Sequence, residues 1–213
     1  MKFLLISLIA LVFSATATPI SGPTSGCSAV HVITARASTE APGEGIIGTV
    51  VTAIVGGSSQ TVSREAVAYP ATLTNYLVSE NQGVTAMKAD LAAQVSKCPD
   101  TKIVLMGYSQ GAQVAGDVLA SRATGTDKVV ATILMGDPGH VAGEPFQKGT
   151  ANAVSGLFPR APGALNAFAS VIESFCDIGD PFCAGGLNLA VHLGYVEEYG
   201  AQATSFVLGR IGG

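Results

Sequence analysis

Ser109 lies in the segment of this sequence whose residue types and spacing point most directly to catalysis. The segment GYSQG, residues 107–111, fits the pattern GxSxG and lies where the apolar run 102–107 meets a helix-like run. Glycines on both sides of a serine permit a tight and strained turn. Such a turn lifts the hydroxyl above a sheet edge at a helix N-terminus, where the dipole favours negative charge. The pattern predicts a nucleophilic serine, with an ordinary strand-to-helix turn capped by Ser109 as the alternative.

A serine nucleophile needs a histidine as its base, and the histidine needs a carboxylate that fixes its tautomer. The sequence has three histidines, at positions 31, 140 and 192. In hydrolases with a GxSxG turn, the acid and then the histidine follow the serine along the chain. His31 precedes Ser109 inside a predicted strand, so we expect it to be a core or edge residue. His140 and His192 remain as candidates for the base.

Two acid–histidine pairs fit this order. Asp137 and His140 are three residues apart, which leaves little room for a serine between them, and Asp137 can instead cap the turn after a strand. Asp177 and Asp180 lie in the short loop CDIGDPFC, which a disulfide would make rigid, and His192 follows it. We favour His192 as the base, and the residues alone leave both loop aspartates open as the acid.

The first residues, MKFLLISLIALVFSATA, are typical of a secretory signal peptide. A lysine precedes an apolar run over 3–13, and small residues follow at 15–17. The run is shorter than the about 20 apolar residues that span a bilayer, so we expect no membrane anchor. The pattern predicts a signal peptide at 1–17, a flexible leader at 18–26, a single catalytic domain at 27–213, and secretion to the extracellular space.

The composition of the chain argues against two classes of binding partner. Hydrophobic residues make up 48% of the 213 residues, charged residues make up 12%, and the net charge is −4 with no basic block. This argues against nucleic acid and against an anionic membrane surface. An even number of cysteines, four, in a secreted chain predicts two disulfides in one of three pairings. Their spacing is a poor match to a zinc site.

Predicted strands and helices alternate along the chain. The predicted strands are 29–36, 64–70, 102–107 and 128–138; the predicted helices are 45–57, 81–98, 111–122 and 198–211. The prediction for residues 166–176 is ambiguous, because the length of the segment favours a helix and its last residues favour a strand. Two of the strands are apolar on both faces, which is typical of a parallel sheet with helices on both sides.

Four segments together resemble the family of cutinases and acetylxylan esterases, which are secreted serine esterases. They are ARASTE (35–40), CPDTKIVLMGYSQGAQV (98–114), CDIGDPFC (176–183) and HLGYVEEYG (192–200). The resemblance runs from Cys27 to about Leu208. It implies Ser109 as nucleophile, Asp180 as acid and His192 as base.

The resemblance also implies an oxyanion hole made by the backbone N–H groups of Ser38 and Gln110, helped by the Ser38 hydroxyl. Donors aimed at a developing oxyanion are each worth about 3–4 kcal/mol. The implied disulfides are Cys27–Cys98 and Cys176–Cys183. The implied fold is a small α/β hydrolase, with a mainly parallel sheet of five strands between helices and no large lid, and with no metal and no organic cofactor.

The resemblance does not decide which ester is the substrate. We expect a monomer that removes acetyl groups from xylan, with hydrolysis of cutin polyester as the alternative. Tyr108, Tyr195 and Tyr199 are candidates for a glycan groove, with a place in the core as the alternative for each. Residues 139–168 are candidates for an apolar rim, with ordinary packing as the alternative. A cell-wall-binding protein without catalysis is an alternative of another class. A triglyceride lipase is a further one, although no lid segment supports it.

Overall fold

The computed structural model describes residues 26–212. The predicted signal peptide and the leader up to residue 25 lie outside the described residues. Six strands and four α-helices follow one another in this part of the chain. They are β1 (Val30–Ala35), α1 (Gly48–Gly57), β2 (Val62–Ala66), α2 (Tyr76–Lys97), β3 (Lys102–Tyr108), α3 (Gln110–Ala120), β4 (Val129–Met135), β5 (Gln147–Lys148), β6 (Ile172–Phe175) and α4 (Leu189–Ile211).

The strands form one open sheet in the order β2-β1-β3-β4-β6-β5, and every pair is parallel. The predicted α/β class is confirmed. The sheet has one strand more than the five expected, because the edge strand β5 contributes two residues. A strand that short leaves no periodic pattern in the sequence.

Helices cover both faces of the sheet, and the side chains of each central strand alternate between two apolar layers. Val104 and Met106 of β3 belong to the layer that includes α1 and α4. Ile103 and Leu105 belong to the layer that includes α2 and α3. All four side chains are fully buried. This explains why the central strands read as apolar at every position.

Several predicted elements differ in their bounds. Helix α2 begins at Tyr76, five residues before the predicted start, and α1 and β4 are each shorter than predicted. The ambiguous segment splits into a 3-10 turn, Asn166–Val171, followed by β6. The closing helix α4 begins nine residues before the predicted start, so it includes His192. Strand β2 is Val62–Ala66, so it ends four residues before the predicted end, although the N–H of Val67 still donates to the carbonyl of Thr34 at 2.9 Å.

Two disulfides tie the ends of elements together. Cys27–Cys98 joins the segment before β1 to the end of α2, and Cys176–Cys183 closes the loop after β6. At the end of α4, the carbonyl of Ile211 accepts a hydrogen bond of 2.7 Å from the ammonium of Lys102, which begins β3. Both ends of the described chain therefore lie at the amino edge of the sheet. None of the helices within 26–212 combines the length and the apolar character needed to cross a bilayer.

Candidate active site

The predicted site residues meet at the carboxyl edge of the sheet, where the strand order changes direction. Strand β1 lies between β2 and β3, so the connections that leave β1 and β3 run to opposite sides. In open parallel sheets a crevice forms at this position. Ser38 follows β1 and Ser109 follows β3, so the topology alone brings these two serines to one crevice.

The turn at Ser109 is strained. Ser109 has φ 55° and ψ −120°, a conformation that non-glycine residues rarely adopt. A Cβ at Gly107 would lie 2.1 Å from the carbonyl oxygen of Gly111, and one at Gly111 would lie 2.0 Å from that of Ala35. Both glycines are therefore required by contacts of backbone with backbone. The N–H of Ser109 donates to the carbonyl of Met135 at 2.8 Å, which ties the turn to β4.

Asp180 and His192 form a buried pair. Oδ2 of Asp180 lies 2.8 Å from Nδ1 of His192, and the two side chains are 0% and 5% exposed. The other carboxylate oxygen accepts hydrogen bonds from the N–H groups of Phe182 and Cys183, at 2.6 and 3.0 Å. Burial alone would raise the pKa of Asp180, but the hydrogen bonds from His192 and from the two N–H groups lower it below its ordinary value. The carboxylate is therefore held in its charged form.

The imidazole of His192 is confined by its neighbours. A Cβ at Gly136, the residue after β4, would lie 2.8 Å from Cε1 of His192, so this position has to be glycine. The ring of Phe182 meets the imidazole edge-on, with centroids 4.4 Å apart. The hydroxyl of Tyr108 donates to the backbone carbonyl of His192.

Ser109 and His192 thus stand over the carboxyl ends of the neighbouring strands β3 and β4. The described structure shows no hydrogen bond between the two side chains. In a substrate-free site such a bond is often long and shortens when substrate binds.

The hydroxyl of Ser38 is buried and, among the described residues, has no hydrogen-bond partner. The loop that holds it is fixed by Glu40, whose carboxylate accepts from the N–H groups of Ala37 (2.6 Å) and Ile46 (2.7 Å). Thr39, which follows Ser38, has φ 67°, and its N–H donates to the carbonyl of Ala71 at 2.7 Å. A buried polar atom without a partner costs free energy, and it suggests a site built for a group that arrives later.

Gln110 begins α3 directly after Ser109, so its backbone N–H has no partner inside the helix. Its side chain is fully buried and serves a different purpose. The amide oxygen accepts from the hydroxyl of Ser79 at 3.0 Å, and the amide nitrogen donates to the carbonyl of Thr72 at 3.1 Å. These bonds hold the start of α3 against the start of α2.

A pocket of about 210 Å³ opens beside Ser109, and most of its lining is apolar. It is lined by Ser38, Leu73, Tyr76, Ser109, Pro138, Leu157, Phe158 and Phe182. Leu73 and Leu157 are more than half exposed. The predicted rim, 139–168, contains two of these residues, Leu157 and Phe158. Leu73, Tyr76 and Phe182 were not predicted, although the uncharged stretch ATLTNYLVS at 71–79 was a possible signal for two of them.

The alternative acid–histidine pair is not brought together. Asp137 binds the guanidinium of Arg160 and the N–H of Gly139. His140 is buried, and its Nε2 lies 3.1 Å from the carbonyl of Ala151. The second loop aspartate, Asp177, is bound by Thr150 and by the hydroxyl of Tyr199. Asp137 and Asp177 thus have structural partners.

The remaining candidates belong to the core. His31 lies in β1, as expected, and its ring contacts Ser63 and Glu65 on β2. Tyr108 and Tyr195 are 2% and 0% exposed, so for these two residues the alternative of a core position holds and neither lines a glycan groove. Both rings pack beneath His192 instead.

Comparisons with known proteins agree with the resemblance found in the four motifs. The family model for cutinase matches residues 26–211. Acetylxylan esterase 2 of Talaromyces purpureogenus is 35% identical over 99% of this chain and 99% of its own, and cutinase 11 of Verticillium dahliae is 35% identical over 87% and 70%. The solved catalytic core of the Trichoderma reesei acetylxylan esterase is 34% identical, with a TM-score of 0.80 over 86% of this chain and 99% of its own.

Proposed function

The chain belongs to the cutinase family and is a carboxylic ester hydrolase, and on the geometry of its site we propose that it is a secreted serine esterase that deacetylates xylan. The observation that carries the mechanism is the strained Ser109 at the crevice, with the buried pair of Asp180 and His192 over the neighbouring strand. Secretion is supported by the signal-like residues 1–17 and by the two disulfides.

In the proposed reaction, Oγ of Ser109 attacks the carbonyl carbon of the ester while Nε2 of His192 takes its proton. Asp180 keeps the proton on Nδ1 and stabilises the imidazolium that forms. The carbonyl oxygen becomes an oxyanion, which the N–H groups of Gln110 and Ser38 and the hydroxyl of Ser38 stabilise.

Collapse of this intermediate breaks the bond to the alcohol oxygen, and His192 returns the proton to the departing alcohol. Water then attacks the acyl carbon with His192 as base, the bond from the acyl carbon to Oγ breaks, and His192 returns the proton to Oγ of Ser109 as the acid leaves. In this scheme the unpaired hydroxyl of Ser38 gains its partner when charge develops on the substrate. The interaction is therefore stronger in the transition state than in the free enzyme, which is the condition for an effect on kcat.

Acetylated xylan is the proposed polymer because the similarity to an acetylxylan esterase covers 99% of both chains. Cutin is the second candidate, and one specific observation favours it. The mouth of the pocket carries exposed apolar side chains, with Leu73 58%, Leu157 51% and Phe158 40% exposed. Such a surface suits contact with an aliphatic polyester.

The test is a series of initial rates on p-nitrophenyl esters from acetate to octanoate, followed by acetylated xylan and cutin. A deacetylase is expected to prefer acetate and to release acetate from xylan, whereas a maximum at butyrate or beyond together with release from cutin favours the second candidate. Ser109→Ala is expected to abolish every rate. Ser205→Ala is the matched control, because Ser205 is exposed on α4 and donates to the carbonyl of Ala201.

Inactivity of the wild type on all esters would instead favour the cell-wall-binding protein. In that case pull-down by insoluble xylan or cutin, unchanged in Ser109→Ala, is the expected result.

A further inference from the structure

Arg160 is a buried arginine that the proposed reaction does not use. Its side chain is 7% exposed although it lies in an irregular segment of the chain. The guanidinium passes between Gly116 of α3 and Gly139 of the turn after β4. A Cβ at Gly116 would lie 2.3 Å from this guanidinium, and one at Gly139 would lie 2.6 Å from it. The fold thus leaves out two side chains to admit one arginine.

The guanidinium joins two elements that carry the candidate site. Nε lies 2.5 Å from Oδ1 of Asp117 on α3, and one terminal nitrogen lies 2.6 Å from Oδ2 of Asp137 after β4. The other terminal nitrogen donates to the backbone carbonyl of Gln113 at 2.8 Å. Because a guanidinium is planar and always charged, these bonds fix the position of the segment that bears it.

That segment forms one wall of the pocket beside Ser109. Leu157 and Phe158 line the pocket two or three residues before Arg160. The N–H of Phe158 donates to Pro138 at 2.9 Å and that of Arg160 donates to Gly139 at 3.2 Å. The ring of Phe158 stacks on Tyr76 of α2, with centroids 5.2 Å apart. The segment that forms this wall is therefore held on one side by the bonds of Arg160. On the other side, Phe158 contacts Tyr76 across the mouth of the pocket.

The carbonyl carbon of any ester substrate has to reach Ser109, and an acetyl group extends one carbon beyond it. The pocket is mostly apolar and about 210 Å³ in volume, and Leu157 and Phe158 belong to its lining. A longer acyl chain that enters it therefore buries more apolar surface against this lining than acetyl does. The position of these two side chains should therefore affect kcat/KM more for esters of long acyl chains than for acetyl esters.

We propose that Arg160 is a positioning residue for acyl specificity, which holds Leu157 and Phe158 against the nucleophile helix so that the pocket accepts acyl chains longer than acetyl, such as butyryl. The inference rests on the proposed esterase function. It assigns no contact between Arg160 and the substrate, since the guanidinium is buried behind the wall.

The test compares Arg160→Met with the wild type on p-nitrophenyl acetate and butyrate, with kcat and KM measured separately. Loss of wall contacts is expected to lower kcat/KM for butyrate about tenfold, mainly through KM, while acetate changes by less than about twofold. Arg160→Lys keeps the positive charge but loses the planar guanidinium that can bind two carboxylates. Its kcat/KM for butyrate is expected to lie between those of Arg160→Met and the wild type. Arg64→Met is the matched control, because Arg64, which lies on β2, also pairs with a carboxylate, that of Glu44.

An equal loss on both esters, or no loss on either, would overturn the inference, and so would a wild type that turns over acetate but not butyrate. Thermal unfolding shows whether Arg160→Met folds. If it does not, Asp117→Asn replaces it, because this change keeps the shape and leaves the pair with Asp137 intact. The same selective loss on butyrate is expected at a smaller size. Ser109-dependent hydrolysis of acetate by the wild type separates the failure of this inference from a failure of the proposed function.

Discussion

Nδ1 of His192 lies 2.8 Å from Oδ2 of Asp180, and both side chains are almost completely withdrawn from water. The carboxylate sits in a ring of chain closed by Cys176–Cys183, and the imidazole sits on the first turn of α4. The hydrogen bond therefore joins a covalently restrained loop to a helix, so the orientation of the imidazole depends on both.

The first prediction concerns this pair. Asp180→Asn keeps the shape but loses the charge that fixes the tautomer of His192. We expect kcat to fall by about 10⁴ with little change in KM. The measurement is steady-state kinetics on p-nitrophenyl acetate.

Asp177→Asn is the matched control for Asp180→Asn, because it lies in the same loop. It loses bonds to Thr150 and Tyr199, so we expect a lower midpoint of thermal unfolding with kcat largely retained. A collapse of kcat in Asp177→Asn alone would mean that the acid has been assigned to the wrong aspartate.

The second prediction concerns the unpaired hydroxyl of Ser38. Ser38→Ala removes a proposed donor to the oxyanion, and kcat is expected to fall by about 10²–10³. The same change removes a buried polar atom that has no partner within residues 26–212, so stability should stay level or rise slightly.

Ser38→Thr keeps the hydroxyl and is the control for this change. It should retain more of kcat than Ser38→Ala does. Equal rates for the alanine variant and the wild type would remove this hydroxyl from the oxyanion hole.

The third prediction compares two helical glycines. Gly111→Ala would place its Cβ 2.0 Å from the carbonyl oxygen of Ala35, so we expect a loss of more than about 4 kcal/mol in the free energy of unfolding, or failure to fold. Gly209→Ala has open space on α4, and we expect a gain of about 0.5–1 kcal/mol. Urea unfolding of both variants checks the contrast. A folded Gly111→Ala variant of wild-type stability would contradict the close approach of α3 to β1.

The fourth prediction concerns Glu80, which is buried between α2 and α3 beside Asp117. One of its carboxylate oxygens has no hydrogen-bond partner in the described part of the chain. Burial and the charge of Asp117 raise the pKa of Glu80 to about 7; Arg160 opposes this rise and Asp137 adds to it. Tyr69 and Tyr76 also face this carboxyl group, and burial raises their pKa values, so both hydroxyls stay protonated.

Since the folded state holds the Glu80 proton more tightly than the unfolded chain does, this contribution to stability is complete below about pH 4.5 and is lost as the pH rises through about 7. Glu80→Gln removes the titration. The midpoint of the wild type should fall relative to that of Glu80→Gln over this range, by about 2–4 °C for each kcal/mol lost. Glu197→Gln, at an exposed position on α4, should run parallel to the wild type. A constant gap between wild type and Glu80→Gln would refute the raised pKa.

The elements that position the site could be predicted because their sequence patterns are local. The apolar run of β3, the turn at Ser109 and the loop around Asp180 each lie within a dozen residues. The start of α4 was missed because residues 189–196, LAVHLGYV, are apolar at nearly every position, including Leu189 and Leu193, which the structure leaves exposed. No apolar stripe with helical spacing stands out in such a run.

The pocket wall could not be predicted, since its contacts are distant in the chain. Arg160 meets Asp117 and Asp137 across 43 and 23 residues. In a sequence, each of these charges is typical of a solvated surface. Tyr76 and Phe158 likewise meet only through the packing of α2 against the loop.

The position of the two ends of the described chain has a practical consequence for immobilisation. Cys27 and Ile211 both lie at the amino edge of the sheet, whereas Ser109 and its pocket lie at the carboxyl edge. A tether or a fused module joined at either end would therefore orient the molecule with its pocket facing away from the support. A solid polymer substrate could then approach the free side without displacing the attachment.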